Sequence, residues 1–158
     1  MRYQPEPARS LLDRLMDQQP ESPDEPVQFS RTGITALVTS VLRDLENLFN
    51  TRSCTSITSN GRPAPHADRS ILTYGSRDFS LENPRSQTVR QAIRLEIVRL
   101  LSSFEPRLKD VTVRLGPTPG ERTLSFRIEA VLHIEPVALP TAFDTHFDIN
   151  SGSYTILS

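Results

Sequence analysis

The chain has 158 residues, the size of one domain with extensions, and a hydrophobic fraction of 36% with 13 prolines points to a modest core and irregular connections. A net charge of −1 provides no global positive field for phosphate backbones or anionic lipid, which disfavours a general nucleic-acid binder. The single cysteine, Cys54, excludes an internal disulfide, and neither a secretory signal nor an apolar run of membrane-spanning length is present, so a cytoplasmic protein without membrane insertion is expected.

Residues 1–30 hold five of the 13 prolines and carry a charge of −3, unlike the remainder. Within this part Ser10 and Asp13 are spaced as a capping box, and Leu11, Leu12, Leu15 and Met16 fall on one face, so a short amphipathic helix is expected near 10–18, followed by a proline-rich linker. A helix that short is marginal in water and needs a surface, either its own domain or a partner groove. The expected division is an arm, 1–29, and a folded domain, 30–158.

From Thr32 onward Ile34, Leu37, Val38, Val41, Leu42, Leu45, Leu48 and Phe49 follow helical spacing, which predicts a core helix. Residues 51–69 read as a polar loop, and Ser70–Gly75 as a brief apolar patch ending in a turn. A second helix is predicted from Ser86 to Phe104, with Val89, Ile93, Ile97, Leu100, Leu101 and Phe104 on one arc, and Pro106 ends it. The period then changes to two: Val111, Val113, Leu115; Leu124 to Ile134; Phe143 to Ile149; and Ser153 to Ile156 read as four strands. Residues 116–123 carry turn chemistry and predict a hairpin between the first two. Helices first and strands second predict an α+β domain, two core helices on a mostly antiparallel sheet of about four strands.

Glu105-Pro106-Arg107 is the most informative local feature. A carboxylate at a helix C-terminus meets the negative end of the dipole and needs a compensating cation, either Arg107 in an intrachain pair or a partner's group. Glu96 lies near the edge of the second helix's apolar arc, where a carboxylate must snorkel or pair with an arginine. Asp144, His146 and Asp148, at i, i+2 and i+4, resemble a metal or acid/base trio, but they alternate with the apolar residues of their strand and so belong most naturally to its solvated side; His66 and Asp68 lie in the polar loop without further ligand spacing. As helix residues, Glu96 and Glu105 would stand about 13 Å apart, too far for a glycosidase pair. No catalytic set, metal-ligand spacing or cofactor fingerprint is marked by the sequence.

Ser10-Leu-Leu-Asp-Arg-Leu15, Val41-Leu-Arg-Asp-Leu-Glu-Asn-Leu-Phe-Asn-Thr-Arg52, Ser70-Ile-Leu-Thr-Tyr-Gly75 with Asp78-Phe79, Phe104-Glu-Pro-Arg-Leu108 and Phe143-Asp-Thr145 occur in an order that resembles the TssE family. These are type VI secretion baseplate subunits related to a phage tail baseplate wedge protein once labelled a lysozyme. The resemblance implies a structural subunit of a contractile injection machine without enzymatic activity, partnered by TssF and TssG, with TssK nearby, that starts polymerisation of the TssB/TssC sheath. It also implies that Glu105, Pro106 and Arg107 belong to the assembly surface. Leu11, Leu12 and Leu15 would add an anchor, and a sheet edge near 143–157 would accept a sheath strand. Arg107→Ala is then expected to leave a stable monomer unable to join the wedge. The alternative is a peptidoglycan-cleaving hydrolase with Glu105 as its acid.

Overall fold

The helical stripe beginning at Thr32 builds α1, Arg31–Asn50, which turns Leu37, Val41, Leu45, Leu48 and Phe49 into the core. The computed structural model describes residues 31–53, 70–117, 122–134 and 137–157; the expected helix at 10–18 with Leu11, Leu12 and Leu15, and Cys54, His66 and Asp68, lie outside these. A short 3-10 turn, Ile71–Thr73, precedes α2, Gln87–Phe104, whose buried residues are Ile93, Glu96, Ile97, Leu100 and Leu101. Four strands follow: β1, Leu108–Leu115; β2, Thr123–Ile134; β3, Val137–Asp148; and β4, Ser153–Leu157. All neighbours are antiparallel and the order is β1-β2-β3-β4, a meander against which both helices pack. The fold is α+β, as the change of period predicted.

The core-facing residues of β2 are Leu124, Phe126, Ile128, Ala130 and Leu132, and those of β3 include Phe143, Thr145 and Phe147. Phe147 stacks on Tyr154 at 4.5 Å between ring centroids, and Phe49 of α1 meets the same tyrosine at 5.4 Å. The opposite sheet face is polar, with Arg114–Glu129 at 3.2 Å and Arg127–Asp144 at 3.2 Å forming a ladder of charges across three strands. Asp144 therefore lies on the solvated side, as alternation predicted.

Two strand starts differ from the sequence expectation. β1 begins at Leu108 instead of Val111 because a bulge follows Lys109, with Asp110 at φ 53°. The extra residue resets the alternation, so Leu108 and Val113, an odd number apart, both point into the core. β3 begins at Val137 instead of Phe143. Pro140 obscured this stretch, since proline removes a ladder donor. The β2–β3 ladder explains the tolerance: Ile149 N–H donates to Arg122 O at 3.1 Å, and counting along the paired register turns the nitrogen of Pro140 away from β2. β4 pairs only with Asp144 to Asp148, so no ladder bond is lost there.

Candidate functional site

α2 ends at Phe104, and Glu105 caps it by donating its N–H to Leu101 O at 3.0 Å. Pro106 cannot continue the helix, and the chain turns so sharply that Leu108 N–H reaches back to Glu105 O at 3.2 Å. Arg107 folds over this corner. Its Nε donates to Glu105 Oε1 at 2.7 Å and its Nη2 to Oε2 at 2.6 Å, a planar two-point pair. The Arg107 backbone N–H also donates to Oε1 at 3.1 Å. Nη2 reaches further to Asp44 Oδ2 of α1 at 2.8 Å, and Arg107 O accepts from His133 N–H at 2.8 Å. One residue thus joins α1, the α2–β1 corner and the end of β2.

The cluster is largely dry: the side chains of Glu105, Arg107 and Asp44 retain 6%, 14% and 21% of their exposure. The hydrogen bonds that Arg107 donates to Glu105 raise the Arg107 pKa above its ordinary value against the opposing effect of burial, so the guanidinium is always charged. Tyr74, edge-on to Phe104 at 5.3 Å, is shifted upward by burial and then by the charges of Asp44 and Glu105. The compensation that a carboxylate at a helix C-terminus requires comes from within the chain. Pro106 is exposed at the apex. The Arg107 fork is committed to Glu105 and Asp44, and its Nη1 is buried without a hydrogen-bond partner among the described residues.

Asp44 was the member that sequence reasoning missed. It stands 63 residues from Arg107, and its only signal was its place in the Val41–Arg52 stretch. Glu96 is held as the helix arc anticipated: Arg99 Nη2 and Nε donate to its two oxygens at 2.9 and 3.0 Å, and Arg77 N–H adds a bond at 3.1 Å. Arg99 also reaches Gly75 O at 3.2 Å, so this pair secures the 70–77 segment to α2. Gly75 has φ 101°, and a side chain there would run into the Thr51 carbonyl.

The sheet edges are unequal. β4 is the terminal strand, whereas Asp144–Asp148 is internal, between β2 and β4, which corrects the expected accepting edge over that stretch. Three of the outward backbone groups of β4 are moreover taken by α1. Asn50 Nδ2 donates to Tyr154 O at 2.9 Å, Tyr154 N–H donates to Asn50 Oδ1 at 2.8 Å, and Ile156 N–H donates to Glu46 Oε1 at 3.3 Å.

A hydrolase built on Glu105 finds no support in this geometry, because both of its oxygens are occupied by guanidinium N–H groups and the side chain is buried. An open hollow of about 450 Å³ on the polar sheet face is lined by Asp110 and Glu129 among others, but Glu129 is paired with Arg114. Among the described residues no group of three His, Cys, Asp or Glu is placed to hold a metal.

Fold and cluster together define a small α+β domain whose charged corner locks its own elements. The chain belongs to the baseplate wedge protein gp25 family, whose family model matches residues 35–137, from α1 through β2 and including Glu105, Pro106 and Arg107. TssE is the type VI secretion homologue in that family, so the resemblance seen in the sequence holds. The family is structural, with a role in the baseplate of phage tail-like contractile systems. No curated protein matches the chain.

Proposed function

We propose that this protein is the TssE-type wedge subunit of a type VI secretion baseplate, held in the cytoplasm by TssF and TssG with TssK nearby, and that it starts the TssB/TssC sheath by accepting a strand at a sheet edge. The observation that carries this reading is the family match across α1–β2. An antiparallel sheet with an edge strand supplies the physical means, since unpaired backbone groups template an incoming strand in fixed register. No helix among the described residues is long and apolar enough to cross a membrane.

Glu105-Pro106-Arg107 acts in this reading as a shaped corner: the internal pair fixes the backbone, and the exposed Pro106 is presented to the wedge. Residues 1–29 serve as an arm, with Leu11, Leu12 and Leu15 as a further anchor. Co-expression with TssF, TssG, TssK, TssB and TssC, followed by mass analysis of what co-purifies, tests the assignment. Recovery of the chain in a complex with TssF and TssG is the expected result. Recovery as a free monomer beside a complete wedge would refute it. Deleting residues 1–20 should weaken that recovery while leaving the circular-dichroism signal of the domain intact.

A further inference from the structure

The two terminal strands of the sheet differ in how far they are open to a further strand, and the Val137–Phe143 stretch of β3 that runs past β4 is interrupted by Pro140, which has no N–H to offer. On β4 the outward N–H groups of Tyr154 and Ile156 and the carbonyl of Tyr154 are already bonded to Asn50 and Glu46. On β1 the parity of the ladder is set by Gly116 N–H donating to Ser125 O at 2.8 Å. Counting back along the register, Arg114 faces Arg127 within the β1–β2 ladder, while Val113 and Leu115 turn their N–H and C=O groups outward. Among the described residues nothing bonds these outward groups. The straight run ends at the bulge around Asp110, which bounds the register.

We infer that β1, not β4, is the accepting edge, and that its occupant is an extended strand of a different protein carrying an acidic residue opposite Arg114. The choice of occupant follows from charge. Arg114 is 67% exposed on the outer face beside this edge. A second copy of the chain using both pairs of outward groups would place Val113 against Leu115 of its neighbour and Arg114 directly against Arg114, and like charges directly opposite are destabilising. A strand with Asp or Glu at that position extends the ion ladder that already runs through Glu129, Arg127 and Asp144. On its core side the new strand would cover Val111 and Leu115, which are only half-buried at the sheet margin.

This inference rests on the sheath-initiating role proposed above and names the surface that performs it. The test uses the full chain with purified TssB/TssC subunits of the same secretion system. Leu115→Pro deletes one outward N–H without touching the β1–β2 ladder, Leu115→Ala truncates the side chain but keeps the N–H, and Ile156→Pro makes the equivalent deletion on β4. Binding by Leu115→Pro should fall at least roughly tenfold, with Leu115→Ala and Ile156→Pro near wild type and TssF/TssG co-purification unchanged. Wild-type binding by a folded Leu115→Pro, or loss confined to Ile156→Pro, overturns the choice of β1. Absence of binding by the wild-type chain overturns the sheath-initiating role itself. Should Leu115→Pro fail to fold, amide exchange on the wild-type chain decides. Val113 and Leu115 amides that exchange fast when free and slow when sheath subunits are added support β1, and amides that do not change overturn it.

Discussion

Replacing Arg107 by alanine strands a buried carboxylate. Glu105 loses the donors at 2.7 and 2.6 Å, Asp44 loses the one at 2.8 Å, and the Glu105 side chain keeps only 6% of its exposure. Removing one partner of a buried pair costs about 3–5 kcal/mol, mostly from the charge left behind. Because 14% of the Arg107 side chain remains exposed, the lower figure, about 3 kcal/mol, applies. For a domain of this size that is a fall in midpoint of roughly 10 °C. Urea unfolding followed by circular dichroism reads it as a lower midpoint at unchanged slope. Adding Glu105→Gln to Arg107→Ala should restore about 1–2 kcal/mol, since the stranded charge is gone. A loss below about 0.5 kcal/mol for Arg107→Ala would refute the reasoning and place the pair among weak surface contacts. This revises the expectation of a stable Arg107→Ala monomer: wedge binding by that variant is interpretable only once its folded fraction is known.

Three further outcomes follow from single contacts. Asn50→Ala removes two hydrogen bonds to Tyr154, should cost about 1–2 kcal/mol, and should open the β4 edge to concentration-dependent self-association, measurable by sedimentation. Thr145→Val should be neutral or stabilising by up to about 1 kcal/mol in urea unfolding, because Thr145 Oγ1 is buried without a partner among the described residues; a loss beyond 1 kcal/mol would reveal a hydrogen bond absent from this account. Burial pushes the Tyr154 phenol up to about 12 from an ordinary 10, so its neutral form contributes stability that is present below pH 10 and is lost as pH rises toward 12. Wild type should therefore lose roughly 2–3 kcal/mol more than Tyr154→Phe across that window, and parallel pH profiles would refute the buried-phenol account.

The site was legible in part. Glu105-Pro106-Arg107 stood out because an acidic residue at a helix end followed by proline is locally unfavourable, and the intrachain pair was one of the two readings open at that point. Its third member, Asp44, was illegible: one polar residue among several on the solvated side of α1, it acquires meaning only when α1 packs beside the α2–β1 corner. Glu96 was legible as a carboxylate needing an arginine, because Arg99 lies one turn further along the same helix. β3 was foreshortened because proline counts against a strand unless the free side of its backbone is known. The bulge at Asp110 was hidden for a related reason: alternation is read in steps of two, and one inserted residue moves Leu108 out of phase with Val113.

The order and type of the elements from α1 to β4, and most of their inward faces, follow from helical and strand periods, which are local properties of side-chain spacing. Packing alone sets which strands lie at the edges, ties Asn50 and Glu46 to β4 while Val113 and Leu115 of β1 stay unbonded among the described residues, and directs the donors of Arg107 to Glu105 and Asp44. Those are contacts between residues far apart in the chain, made by packing rather than by spacing.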